Sequence, residues 1–174
     1  MPNAGLIIQV AIGIIFSVSA ASKWIGPARF SDAVSNYKIL PNWLSGSAAI
    51  LIMFAETWFA FAHLTGYGLG SSLSGALLML ALFAFAVSVN LVRGRDLSCY
   101  CFGHASEPIS VATLFKLLLI AGGESLLFVR HSTVAVSRAN LDIVGIAMFW
   151  ALLLLTAILW MFDFRYLVGL FKSK

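Results

Sequence analysis

The only two thiols in the chain are Cys99 and Cys101, in the stretch Leu97-Ser98-Cys99-Tyr100-Cys101-Phe102-Gly103-His104. A disulfide between residues this close closes a very small ring. The bond needs Cα atoms within about 7 Å and a dihedral of roughly ±90°, which so short a turn supplies only under strain. A strained disulfide is easily reduced, which suits a regulatory or catalytic bond. It also adds little stability, because the loop it closes is minimal. Two chemistries fit the pair. In one, a thiolate attacks a partner's disulfide and its neighbour resolves the mixed disulfide; Arg93, Arg95 and the N-terminal dipole of the following helix favour the thiolate. In the other, the two thiolates hold a soft ion such as Cu(I) or Hg(II), with His104 as a third ligand. Against both stands a plainer reading: two small, apolar, buried cysteines, with His104 an ordinary loop histidine.

A second candidate is Glu56, which falls in the middle of an apolar run. An acid at that depth must be paired, protonated or facing a polar cavity, and is by default a functional-site candidate. Its roles are a proton relay or a residue lining a path to the thiols; the alternative is a helix-to-helix hydrogen bond that fixes packing. Lys23, at the end of the first apolar run, lies on the same side as the cysteine loop and is a candidate activator of a thiolate. His63 shares a helix face with Glu56, seven residues on, but near the membrane edge. Lys116 and Glu124 share a face of a later run. These three read as structural, with Lys116 snorkelling to the interface.

The elements that must position these residues are membrane spans. Hydrophobic residues make up 61% of the chain and charged residues 10%, against roughly half and a quarter in soluble domains. Charges cluster between apolar stretches of about twenty residues, long enough to cross the hydrocarbon core as helices. Five spans emerge: Ala4 to Ala21, Trp43 to Thr65, Leu69 to Val92, Ser110 to Val129 and Ile143 to Phe162. No positive charge precedes the first, so it reads as a retained span and not a secretory signal. Strand-like alternation is absent. The fold class is therefore all-α, a polytopic transmembrane helical bundle whose environment is the lipid bilayer. No aromatic-basic surface marks a nucleic-acid partner, and no haem or flavin motif is present. No cofactor is predicted, although a quinone or a soft metal ion is compatible with the residues. Small residues mark packing faces in the third span (Gly70, Ser71, Ser74, Gly75) and the fourth (Ala121, Gly122, Gly123).

The connection from Ser22 to Asn42 mixes basic residues with Trp24, Phe30 and Tyr37, which predicts a short amphipathic helix at the interface. Ser106 or Ser110 can cap the fourth span, with Pro108 in its first turn. One side of the five-span arrangement holds Lys23, Arg29, Lys38, Arg93, Arg95, Arg165, Lys172 and Lys174. The other holds Arg130 and Arg138. The positive-inside rule then places the N-terminus outside, and the C-terminus and cysteine loop inside.

The stretch Asn90 to Gly103, NLVRGRDLSCYCFG, resembles the "N-L-x-R-G-R … D-C-G-C-F-G" signature of the MauE family of methylamine-utilisation membrane proteins, relatives of the DoxX-like redox-associated proteins. Other pieces agree in order. Ser19-Ala20-Ala21-Ser22-Lys23 is similar to the family's Ser-x-x-Lys at the end of the first span, and Tyr37 to Pro41 to its Tyr-x-x-Leu-Pro. Ala55-Glu56 matches its acid inside the second span, and Pro108 to Ser110 its entry to the fourth. Tyr100 replaces the usual glycine between the cysteines, which stiffens the turn. Ser98 replaces the usual aspartate, removing a negative neighbour of the thiols. The resemblance implies a four-helix core over residues 1–130, with 131–174 as an additional C-terminal transmembrane helix and tail. It also implies a bacterial inner-membrane location, thiol–disulfide exchange with a thioredoxin-fold partner, and a part in maturing the disulfide-rich, quinone-cofactor-bearing subunit of an amine dehydrogenase. That association with exported proteins points to a loop outside the membrane, against the charge count. A soft-metal carrier and a non-catalytic scaffold remain the alternative functions.

Overall fold

The computed structural model describes residues 4–95, 97 and 108–130. Cys99, Cys101, His104, Ser106 and the fifth predicted span lie outside the described residues. The elements are α1 (Ala4–Ile25), α2 (Pro27–Asn36), α3 (Asn42–Thr65), α4 (Leu69–Val92) and α5 (Val111–Arg130). Four of them, α1, α3, α4 and α5, are long and apolar enough to cross a membrane. In lipid each backbone polar group must be satisfied within its own segment, and these helices do that.

Each boundary has a local cause. Pro27 occupies the first turn of α2, where its missing N–H costs nothing. Helix α3 ends at Gly66 (φ 75°) and α4 begins after Gly68 (φ 63°). Both φ values belong to the left-handed region that glycine enters without strain, so the reversal between these helices needs only a tight turn. At the start of α5, Ser110 Oγ accepts from Thr113 N–H at 3.4 Å while Thr113 Oγ1 accepts from Ser110 N–H at 3.3 Å. This is a reciprocal cap, and Pro108 precedes it rather than sitting in the first turn. Helix α1 runs four residues past the predicted Ala21, because Lys23 does not end the span: its side chain is buried.

In the bundle, α1 packs on α3 and α5, and α4 packs on the same two helices from the opposite corner. The largest core cluster gathers Ile12 and Phe16 of α1, Phe59 of α3, Leu73 and Met79 of α4 and Leu127 of α5. Outward-facing residues such as Leu51, Leu78, Phe85 and Leu118 are exposed, as lipid contact requires. The inside holds the polar side chains: Gln9, Ser19, Lys23, Glu56, His63, Ser72, Asn90 and Glu124 are all buried. The predicted packing glycines divide. A Cβ on Gly75 would lie 3.0 Å from Phe59, and one on Gly123 would lie 3.1 Å from Ile12, but Gly70 and Gly122 have nothing within 4 Å. Ser71 and Ser74 are exposed. Close approach falls on one glycine per helix, not on the whole stripe.

Helix α2 is the predicted amphipathic segment. It buries Phe30 and Ala33, and Phe30 packs with Ala49 and Met53 of α3. Its exposed neighbours Trp24 and Trp43 suit the membrane–water boundary.

Candidate functional site

Lys23 and Glu56 meet inside the bundle. Every helical side chain leans toward its own N-terminus, so Lys23, near the C-terminal end of α1, reaches back along the helix into the membrane. Its ammonium donates to Glu56 Oε2 at 2.6 Å and Oε1 at 2.9 Å, and to Ser19 Oγ at 2.6 Å. The Ser19 hydroxyl donates in turn to Glu56 Oε2 at 3.1 Å. Both charged side chains are about 2% exposed or less. The Phe30 ring of α2 lies 5.1 Å from the ammonium, a cation–π contact that closes the end of the site. On the lipid side, Trp24 Nε1 donates to Thr57 Oγ1 at 3.1 Å and its ring packs edge-on against Phe54, holding α1 and α3 in register beside the pair.

A cavity adjoins this pair, lined by Ile15, Phe16 and Ser19 of α1, Glu56 of α3, Met79, Leu80 and Phe83 of α4, and Leu117 and Ile120 of α5. Its volume, about 20 Å³, matches a single water molecule. Glu56 is thus both paired and turned toward a cavity.

Sequence reasoning missed a second polar site at the other end of the bundle. His63 Nδ1 lies 2.7 Å from the Phe59 carbonyl oxygen, and Nε2 lies 3.3 Å from Glu124 Oε2 in hydrogen-bonding alignment. Glu124 Oε1 is nearer, at 3.1 Å, but is misaligned and has no hydrogen-bond partner. Gln9 Nε2 donates to the His63 carbonyl at 2.7 Å. Gln9, His63, Ser72 and Glu124 come from four different helices and are all 0% exposed. His63 and Glu124 each read as edge residues alone; the available signal was that α3 and α5 both end on the same side of the membrane.

The described ends of the cysteine loop are pinned. Ile109 N–H donates to the Leu97 carbonyl at 2.8 Å, which closes the loop at its base. Asn90 Nδ2 donates to the Tyr37 carbonyl at 3.2 Å, and Arg95 Nη1 donates to the Asn36 carbonyl at 3.0 Å. The loop therefore leaves the same end of the bundle that α2 covers. Lys23, offered by the sequence as a thiolate activator, has its ammonium on Glu56 and Ser19. Among the described residues, no cluster of three or more His, Cys, Asp or Glu side chains could hold a metal ion.

The family model of "Methylamine utilisation protein MauE" matches residues 1–130. The chain belongs to the MauE family. Among its MauE relatives, the Methylophilus methylotrophus protein is 27% identical over 144 residues, 81% of this chain and 75% of the relative. The Paracoccus denitrificans protein is 26% identical over 116 residues, 65% of this chain and 62% of the relative. The Paracoccus versutus protein is 29% identical over 97 residues, 55% of this chain and 52% of the relative. The matches to the two Paracoccus relatives thus span less than two thirds of those proteins. All three are called methylamine utilization protein MauE. No solved structure matches the chain. The region matched by the family contains the Lys23–Glu56 pair, the His63–Glu124 pair and the cysteine loop.

Proposed function

We propose that this MauE-family chain exchanges thiols and disulfides through Cys99 and Cys101 with a thioredoxin-fold partner, and so supports maturation of a disulfide- or cofactor-bearing protein. The names of its relatives support a place in methylamine utilisation; the exchange chemistry, and an amine dehydrogenase as the matured protein, are our reading of the cysteine-loop resemblance. The observation that carries the reading is the pinned loop base. With Leu97 joined to Ile109, and Asn90 and Arg95 tied to the end of α2, both ends of the segment that carries the thiols are anchored to the bundle, which limits the chain a docking partner would have to order.

In the reaction, one thiolate attacks a sulfur of the partner's disulfide, forming a mixed disulfide and releasing the partner's other sulfur as a thiolate. The second cysteine of the pair, as thiolate, then attacks the mixed disulfide. The partner leaves as a dithiol and Cys99–Cys101 as a disulfide, so two electrons pass to the partner. The reverse direction follows the same atoms. In this reading Glu56 serves as a proton-transfer group held in place by Lys23 and Ser19.

Cys99→Ser and Cys101→Ser variants test the reading. Removing the resolving cysteine should trap a partner in a mixed disulfide that disappears on reduction. No adduct with either variant, together with a bound copper or mercury ion lost in both, would establish the metal carrier instead. Full function of the double variant would establish a scaffold.

A further inference from the structure

The two buried polar pairs lie on one inward face of α3. Glu56 and His63 are seven residues apart, close to two helical turns and about 10 Å along the axis. Each pair joins groups that can exchange a proton. A carbonyl oxygen only accepts, so at 2.7 Å from the Phe59 carbonyl His63 Nδ1 carries its hydrogen. Nε2 then faces the Glu124 carboxyl, with both residues 0% exposed. If neither group held a further proton, two lone pairs would face each other around a buried net negative charge, a costly arrangement. One proton therefore belongs to the His63–Glu124 pair, on either partner. Lys23, Ser19 and Glu56 form the second such relay, an ammonium, a hydroxyl and a carboxylate in continuous hydrogen-bonded contact.

Between the pairs stands Phe16. Its ring lies 5.9 Å from the His63 ring and 5.6 Å from Phe59. The same ring lines the cavity into which Glu56 and Ser19 face. Phe16 therefore contacts both the imidazole and the water-sized space beside Glu56.

Water access at the far end has its own sign. Gln9 Oε1, Ser72 Oγ and Glu124 Oε1 are buried without a hydrogen-bond partner. They belong to three helices, within the turns nearest the end opposite the cysteine loop. Buried polar atoms that lack a protein partner are commonly satisfied by water. The chain of exchangeable groups thus begins at that end, passes His63–Glu124, is interrupted by Phe16 and Phe59, and resumes at Glu56, Ser19 and Lys23.

We infer that the inward face of α3 is a gated proton path through the bundle, with His63–Glu124 and Glu56–Lys23 as its two stations and Phe16 as its gate. The inference does not depend on the thiol chemistry. No bond other than O–H and N–H is made or broken: a proton leaves one station for a water in the cavity and is accepted at the next, and its release beyond Lys23 requires the Phe30 ring to move off the ammonium.

The test uses the full chain reconstituted in liposomes loaded with a pH-sensitive dye, with a potassium diffusion potential set by valinomycin to drive protons. Wild-type vesicles should acidify slowly, because the gate is closed. Phe16→Ala should raise the proton flux several-fold, and adding Glu56→Gln or His63→Asn should return it to the wild-type level. Replacing external sodium with choline should leave the flux unchanged. A Phe16→Ala flux that survives either second substitution is a packing leak and overturns the path. So does wild-type flux from a Phe16→Ala chain that keeps wild-type helicity and elutes as one species. If that variant fails to fold, Phe16→Leu, closer in volume, takes its place: a raised flux abolished by the second substitutions supports the path, and an unchanged flux overturns it.

Discussion

At Glu56 the decisive fact is legible without a structure: a carboxyl among apolar residues at mid-span, costly in hydrocarbon wherever the chain folds. Its partner was not legible. A lysine near a helix end normally snorkels outward; Lys23 turns inward because Ser19, one turn back, and Glu56, across the α1–α3 contact, offer three oxygens to its ammonium. The His63–Glu124 pair was illegible for a different reason, since its members stand 61 residues apart and meet only through tertiary packing. The geometry predicts how substitutions at the first pair divide. Glu56→Gln keeps a hydrogen-bond acceptor for Ser19 and Lys23 but leaves the ammonium buried without a countercharge, and Lys23→Met leaves the carboxylate so. Each single change should cost about 3–5 kcal/mol, the usual penalty for breaking a buried ion pair. The combination Lys23→Met with Glu56→Gln removes both charges and should recover most of that loss. Thermal or denaturant unfolding in detergent measures it. Activity should stay low in the double variant, because a glutamine neither ionises nor passes a proton. A double variant as active as the wild type would make the pair a packing device.

Among the elements, α3 and α4 fall where the apolar runs place them, since their ends are marked by an interfacial Trp43, by Gly66 and Gly68, and by Arg93. The amphipathic α2 was legible too, from aromatic residues among charges in a connection too long for a turn. Which small residues bring helices together was not, because composition does not say which side of a helix faces a neighbour. The structure separates them. A Cβ on Gly13 would meet Leu64 at 3.0 Å and the His63 Cβ at 3.1 Å. The Leu64 end can swing aside, but the His63 Cβ is fixed to the α3 backbone, and its ring is held at both nitrogens. Gly13→Ala should therefore push α1 from α3 and destabilise by about 1–3 kcal/mol, the range for overpacking. Gly123→Ala meets the flexible tip of Ile12 and should cost less. Gly122→Ala enters open space and should be neutral or slightly stabilising, since alanine is the better helix former. Melting the three variants in one detergent gives the order directly; a Gly122 variant as unstable as the Gly13 variant would mean that the lipid-facing side of α5 is an interface.

For the whole molecule, the bundle fixes which connections share an end, and that sharpens the conflict over sidedness. Arg95 and Asn90 bond to the end of α2, so the cysteine loop emerges beside exposed Arg29, Lys38 and Arg93. The opposite end turns from α3 to α4 through Gly66, Tyr67 and Gly68, with no lysine or arginine. Basic residues this close to a span resist translocation, which predicts a cysteine loop on the cytoplasmic face. Maturation of an exported protein would place it outside. The charge pattern is a property of this chain, whereas the exported substrate is only what the family resemblance implies, so the cytoplasmic face is the expected outcome. A substrate outside would then be reached through the partner. The check is a membrane-impermeant thiol reagent applied to spheroplasts after treatment with a permeant reductant, so that a Cys99–Cys101 disulfide does not hide the thiols. Labelling should appear only once the membrane is permeabilised. Tyr67→Cys, in a background with Cys99 and Cys101 replaced by serine, supplies the internal control: that position is 70% exposed in the opposite turn and should label in intact spheroplasts. Rapid labelling of the native cysteines from outside, with Tyr67→Cys protected, would invert the bundle and put the thiols directly before an exported partner.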